Sequence, residues 1–134
     1  IDGLHQKAGS RKVLELHGSV LRNHCTRCGQ FYGVERIVNS RGVPRCSCGG
    51  IIKPDVVLYE ESLDEDVMAE AIHYIRQADV LIIGGTSLVV YPAAGLVQYY
   101  RGNKLAVINK GGAGSGLGAA VTVDAPIGQV MAQL

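Results

Sequence analysis

Four cysteines are the residues whose types and spacing most clearly imply chemistry. They form two pairs, Cys25-x2-Cys28 and Cys46-x-Cys48, with 17 residues between the pairs. Paired cysteines on tight turns can supply four thiolates to a tetrahedral zinc ion, and four thiolates close the site to substrate. The spacing therefore predicts one structural zinc ion. Disulfides and an iron site are the alternatives.

A histidine near these cysteines is the leading candidate for acid–base chemistry. His17 ends an apolar alternation over residues 13–17 and precedes Gly18-Ser19. Imidazole changes charge near neutral pH, so a histidine that points into a cleft can act as a general base. A purely structural histidine is the alternative. His24, next to Cys25, is at most a spare zinc ligand.

Glycines and polar residues follow two of the predicted strands. Residues 80–83 run into Gly84-Gly85-Thr86-Ser87, and Asn109 follows residues 105–108. At the carboxyl edge of a parallel sheet, such amides and hydroxyls can bind a phosphate or a ribose. Packing and turn capping are the alternatives. The glycine-rich stretch 111–118 contains no G-x-G-x-x-G match and predicts a surface loop.

These candidates must be positioned by an α/β framework. A helical turn is predicted within residues 1–10. After Pro54, strands are predicted at 55–59, 79–83, 105–108 and 121–123, and helices at 63–78, 92–100 and 127–134. This alternation predicts a parallel sheet, and its uninterrupted apolar runs predict strands covered on both faces. Residues 21–53 contain all the cysteines and predict a small module that burial alone does not stabilise.

Composition and charge exclude several classes of protein. The chain has 134 residues, of which 47% are hydrophobic and 19% charged, so it is globular. With a net charge of +1 and no basic run, no direct nucleic-acid binding is expected, and no stretch is long enough to span a membrane. The first residues lack a start methionine and a leader pattern, so we expect a fragment or a processed chain. Reduced cysteines favour the cytoplasm.

Several motifs occur here in the order seen in one enzyme family. They are Ile1-Asp2-Gly3-Leu4-His5, Glu15-Leu16-His17-Gly18, the four cysteines, Pro54-Asp55-Val56-Val57, Gly85-Thr86-Ser87-Leu88 with Val90 and Pro92, and Ile108-Asn109. The chain thus resembles the sirtuins, which are NAD-dependent protein lysine deacylases. The resemblance implies an incomplete Rossmann-like domain formed by residues 1–20 and 54–134. It also implies an inserted zinc-ribbon module at 21–53.

The resemblance also implies roles for individual residues. His17 corresponds to the general base that activates a ribose hydroxyl after nicotinamide leaves. The positions that correspond to NAD contacts are Ile1, Asp2, Gly85, Thr86, Ser87, Asn109, Lys110 and Ile127. The positions that correspond to the strands around an acyl-lysine protein or peptide are Val57, Tyr59, Glu60 and Val90.

The chain also departs from the family pattern. The family's first strand with its Gly-Ala-Gly loop, and the Thr-Gln-Asn that precedes Ile1, are absent. We therefore expect this chain to need that missing N-terminal segment of the same fold for NAD binding and catalysis. Glu60 stands where the family usually has glycine. Protein mono-ADP-ribosyl transfer and a non-catalytic zinc-ribbon binding module are the alternative functions.

Overall fold

The computed structural model describes residues 1–112, 114 and 116–133. The parts of the predicted loop and closing helix that fall on Ala113, Ser115 and Leu134 lie outside the described residues. The chain forms two compact units, residues 1–67 and residues 68–134. Each unit has its own sheet, and each is described by itself.

The first unit is built on a three-stranded antiparallel sheet in the order β2-β1-β3. The strands are β1 (Gly18–Cys25), β2 (Phe31–Gly33) and β3 (Ile52–Val56), and the short helices are α1 (Leu4–Lys7) and α2 (Val34–Val38). The helical turn predicted within residues 1–10 is confirmed. The strand predicted at 55–59 is wrong in its bounds, because β3 ends at Val56. The chain then turns, and the Glu61 N–H donates to the Leu58 carbonyl at 3.1 Å.

Strand β1 contains a wide irregularity opposite β3. Ser19 pairs with Asp55, but the next paired residue on β1 is Asn23, opposite Pro54. Three residues of β1 thus have no partner on β3. One of them, Val20, donates its N–H to the Ile1 carbonyl at 2.9 Å instead. This irregularity ties the start of the chain to the sheet.

The hydrophobic core around the cysteines is small, as the sequence predicts. Its members are the buried residues Cys25, Cys46 and Ile52, against which Tyr32, Ile37 and Cys48 pack. Two of the three buried members are cysteines, so little aliphatic surface is removed from water here. Burial alone therefore contributes little to the stability of this region.

The second unit contains the predicted parallel sheet, with strands β4 (Leu81–Gly84), β5 (Leu105–Ile108) and β6 (Val121–Val123) in that order. Helix α3 (Glu65–Gln77), which contains the boundary between the units, confirms the prediction at 63–78. Asp64 caps it by accepting the Val67 N–H at 3.0 Å. The helix predicted at 92–100 is a 3-10 helix over Ala93–Tyr99, and α4 spans Ile127–Met131.

The prediction that the strands are covered on both faces is wrong for the outer strands. The central strand is buried, with Val107 0% exposed, whereas Ile82 on β4 is 51% exposed and Val121 on β6 is 54% exposed. β5 lies between two strands, whereas β4 and β6 are the outer strands of this sheet and leave these side chains partly open to solvent. Among the described residues, no helix has both the length and the apolar character needed to cross a membrane.

Candidate zinc and nucleotide sites

The four cysteine side chains converge at one point in the first unit. All four Sγ atoms lie within 4.8 Å of one another, and all four cysteines are free. The Sγ–Sγ distances are 3.5 Å for Cys25–Cys48, 3.6 Å for Cys28–Cys46 and 3.5 Å for Cys28–Cys48. A tetrahedron with Zn–S bonds of about 2.3 Å requires edges of about 3.8 Å. The cluster therefore fits one zinc ion with four thiolate ligands.

Tight turns bring each pair of thiols together. The Gly29 N–H donates to the Cys25 carbonyl at 2.9 Å, and the Gly49 N–H donates to the Cys46 carbonyl at 2.9 Å. Both glycines have left-handed backbones, with φ of 71° and 83°. Gly50, which the sequence analysis did not single out, is also required. A Cβ at that position would lie 2.6 Å from Cys25 Sγ.

A tyrosine that the sequence analysis missed supports one of the thiols. The hydroxyl of Tyr32, on β2, donates to Cys46 Sγ at 3.0 Å. This hydrogen bond, followed by one from the Cys48 backbone amide, lowers the pKa of Cys46 to about 5. The thiolate is the form that binds metal, so Tyr32 favours the metal-binding state of Cys46. The aromatic residue that closely follows the first pair was the available signal.

His17 lies in a turn immediately before β1. The Gly18 N–H donates to the Glu15 carbonyl at 2.9 Å, and the Val57 N–H donates to the His17 carbonyl at 3.1 Å. Gly18 has a φ of 75°, and a Cβ there would overlap the carbonyl oxygen of Asp55. His17 is half-buried. The structure thus brings His17 beside Val57, one of the predicted substrate residues.

The other predicted residues of the first unit lie at its surface. The Asp2 carboxylate accepts the Leu4 N–H at 3.0 Å and so caps the start of α1. Ile1 is 54% exposed and Tyr59 is 98% exposed. Glu60 has a φ of 70°, the left-handed conformation that glycine adopts without cost. This backbone is consistent with the expectation, drawn from the resemblance, that glycine suits this position.

A charged network beside this turn was not predicted. His24 Nδ1 lies 2.7 Å from Asp55 Oδ1, so His24 pairs with a carboxylate instead of approaching the cysteine cluster. Arg22 lies 2.7 Å from Glu15 and 3.8 Å from Asp55, and its hydrogen bond lowers the pKa of Glu15. Glu15, Arg22 and Asp55 line an open cleft of about 540 Å³, which Val57 also lines.

In the second unit, the predicted nucleotide residues gather at the carboxyl edge of the parallel sheet. The Gly85 N–H donates to the Ile108 carbonyl, and the Asn109 N–H to the Val123 carbonyl, both at 3.1 Å. Thr86 Oγ1 accepts the Leu88 N–H at 3.2 Å, and Ser87 and Lys110 are exposed. Val90 is 56% exposed. Parallel strands place these turns at one edge, where dinucleotides bind in such folds.

Two further contacts shape that edge. A Cβ on Gly84 would overlap the Cδ1 atom of Ile127, so glycine lets the start of α4 approach the end of β4. Asp124, which the sequence analysis missed, accepts the Gly111 N–H at 2.8 Å. A carboxylate directly after a strand was the signal for this residue. It holds the backbone that follows Asn109 and Lys110.

Comparison with known proteins gives a consistent result. The family model "Sir2 family" matches residues 1–92. The NAD-dependent protein deacetylase of Clostridium perfringens is 57% identical over 100% of this chain and 56% of its own length, and that of Clostridium tetani is 53% identical over 98% and 54%. The chain thus spans about half the length of these curated relatives.

Solved structures give the same picture. A structure described as the structural basis for sirtuin substrate affinity matches with a TM-score of 0.90 and 39% identity, over 99% of this chain and 59% of that one. A Sir2 structure bound to a propionylated peptide matches with a TM-score of 0.89 and 38% identity, over the same shares.

Proposed function

The chain belongs to the Sir2 family, and from that premise we propose that it is part of an NAD-dependent protein lysine deacylase. The observation that carries the proposal is the placement of His17. It is half-buried and held against Val57 by a backbone hydrogen bond of 3.1 Å, in the same unit as the four-cysteine cluster. An imidazole beside the backbone that follows β3 is placed for proton transfer next to a peptide bound there.

The carboxyl edge of the parallel sheet is the proposed binding surface for NAD. Gly85 and Ser87 are exposed there, and the half-buried side chain of Asn109 makes no hydrogen bond with the described part of the chain. The side-chain amide of Asn109 and the hydroxyl of Ser87 at this edge suit a ribose or a phosphate. We assign Thr86, Lys110 and Ile127 to the same surface, and Ile1 and Asp2 to the nicotinamide carboxamide. When bound, NAD supplies the ribose carbon from which nicotinamide leaves.

His17 is the proposed general base. The ring nitrogen of His17 that carries no proton accepts one from the ribose hydroxyl, and this hydroxyl attacks the acyl group. Val57, Tyr59, Glu60 and Val90 are the proposed contacts of the acyl-lysine peptide. Such a peptide binds as an added strand, through main-chain hydrogen bonds.

The remaining parts of the proposal concern the whole protein. We propose that residues 21–53 are a module inserted between 1–20 and 54–134, and that further chain of the same fold completes the sheet. The half-exposed Ile82 and Val121 support this, since apolar edge strands are ordinarily covered. The described chain alone is expected to be inactive. Four free thiols favour a reducing, cytoplasmic location.

Nicotinamide release from NAD by the complete protein, with and without an acetyl-lysine peptide, tests the function. Release that requires the peptide is expected. Release without peptide would favour ADP-ribosyl transfer, and no release from folded, zinc-loaded protein would favour a binding module.

His17→Ala tests the proposed base in the same assay. The substitution is expected to lower deacylation by about 10²- to 10⁴-fold without changing the melting temperature. His73→Ala, at an exposed histidine of α3, is the matched control and should retain activity. Equal activity of the two variants would remove His17 from the mechanism.

A further inference from the structure

Positive charge is concentrated around the cysteine cluster. Residues 21–53 contain six of the chain's 13 basic side chains and one of its 12 acidic ones. The rest of the chain contains seven basic and eleven acidic side chains. The near-neutral net charge of the whole chain is therefore the sum of a strongly basic segment and an acidic remainder. Four thiolates around one Zn²⁺ add two negative charges, and the segment stays positive after they are included.

Four of these six basic residues lack a carboxylate partner. Arg22 pairs with Glu15 at 2.7 Å, and Lys53 pairs with Glu61 at 3.4 Å. The other four are exposed, and no ion pair among residues 1–112, 114 and 116–133 includes them. We call these four exposed side chains the arginine surface: Arg27, Arg36, Arg41 and Arg45.

Backbone carbonyls hold three of these guanidinium groups in place. Arg27 donates to the Cys48 carbonyl at 2.8 Å, and Arg45 donates to the Gly49 carbonyl at 3.1 Å. Arg36 donates to the Arg45 carbonyl at 2.8 Å. A guanidinium has five N–H donors, so one such bond leaves most of them available. These side chains are thus ordered before any partner binds, which reduces the entropic cost of binding.

The surroundings favour protein over nucleic acid as the partner. Val38 is 75% exposed and Val43 is 62% exposed, and both lie in the segment 36–45, which contains three of the four arginines. Protein interfaces are enriched in arginine and depleted of lysine, and their centres are apolar. Phosphate backbones use lysine as readily as arginine and gain nothing from exposed valines.

We propose that the arginine surface docks a carboxylate-rich segment of another protein, in which apolar side chains meet Val38 and Val43. Planar guanidinium groups match carboxylates through paired hydrogen bonds. This docking does not depend on NAD or on an acylated lysine. It is therefore separate from the proposed catalytic function.

The test is fluorescence anisotropy with the zinc-loaded chain and three labelled probes. They are a peptide that alternates Glu with Leu and Ser, the same peptide with Gln for Glu, and a short DNA duplex. The Glu peptide is expected to bind most tightly, and its affinity should fall as salt rises. Equal affinity for the Glu and Gln peptides would overturn the proposal. So would tighter binding of the duplex, which would assign the surface to nucleic acid.

Substitutions locate the binding surface. Exposed ion pairs contribute about 0.2–1 kcal/mol each, so Arg36→Gln with Arg41→Gln should weaken binding of the Glu peptide roughly 2- to 30-fold. Arg101→Gln with Lys104→Gln, at exposed positions of the second unit, is the matched control and should bind as the unmodified chain does. Equal losses in the two variants would refute the assignment.

A single substitution tests the same surface without removing a hydrogen bond of the fold. Arg41 makes no hydrogen bond within the described part of the chain, so Arg41→Gln removes charge without removing an anchor. It should bind about one zinc and still lose affinity for the Glu peptide, by a smaller factor than the double variant. Unchanged affinity in this folded variant would also refute the proposal.

Discussion

Gly18 is the position at which one added methyl group should cost most. It lies between His17 and the rest of β1, with a φ of 75°. A Cβ there would overlap the Asp55 carbonyl oxygen and lie 2.8 Å from its carbon. These are backbone atoms of the paired strand, so no side-chain rotation can relieve the overlap. Gly18→Ala therefore requires the ends of β1 and β3 to separate.

The size of the effect follows from three contributions. An L-residue in the left-handed region costs about 1–2 kcal/mol. Separating the strand ends breaks the hydrogen bond from the Val57 N–H to the His17 carbonyl. It also breaks the adjacent pairing of Gly18 with Val56. Each lost bond costs about 0.5–1.5 kcal/mol net. The free energy of unfolding should fall by about 2–5 kcal/mol.

Gly42→Ala is the matched control for Gly18→Ala. Gly42 has a φ of 71°, and no atom lies within 4 Å of a Cβ built there. Gly42→Ala should lower the free energy of unfolding by about 1–2 kcal/mol, from the backbone conformation alone. Urea unfolding of the zinc-loaded proteins measures both values. An equal loss of unfolding free energy in the two variants would show that the close approach of β3 to Gly18 does not contribute to stability.

Three further substitutions test other parts of the structure. Cys46→Ser should release the zinc and lower the melting temperature, and retention of one zinc per chain with unchanged melting would contradict a structural metal. Tyr32→Phe should weaken zinc binding about 10- to 100-fold. Because Tyr32 depresses the pKa of Cys46 to about 5, the variant should also release zinc at a higher pH than the unmodified chain, and an unchanged release midpoint in a chelator titration would exclude this role. Asp64→Ala removes the cap of α3 and should lower the free energy of unfolding by about 1 kcal/mol. Asp66→Ala removes a carboxylate of the same helix that is not a cap, so it should lower the free energy of unfolding by less. Equal shifts in melting temperature would exclude the cap.

The features that could be predicted from the sequence depend on local patterns. The two cysteines of each pair are close in sequence, and zinc binding requires the two pairs to converge. The cluster was therefore predictable without the fold. The parallel sheet was predictable because each apolar run ends at a glycine or a polar residue. The proposed roles of the remaining site residues stay predictions.

The features that could not be predicted depend on how distant segments meet. The antiparallel pairing of β1 was hidden because its irregularity between Ser19 and Asn23 interrupts the alternation that marks a strand. The need for glycine at Gly18 arises from Asp55, which is far away in sequence. The 3-10 form of residues 93–99 depends on bonds such as that from the Gly95 N–H to the Pro92 carbonyl at 3.0 Å. No local periodicity encodes these approaches.

Strand β1 begins directly after His17 and ends at Cys25. One of the four metal ligands, Cys25, and the proposed base therefore lie at the two ends of the same strand. Loss of the metal would then abolish the proposed activity, although the ion does not contact a substrate. A chelator would behave as a slow inactivator whose effect excess NAD or peptide does not reverse. The amount of protein competent for the proposed activity would then depend on zinc supply as well as on how much polypeptide is made.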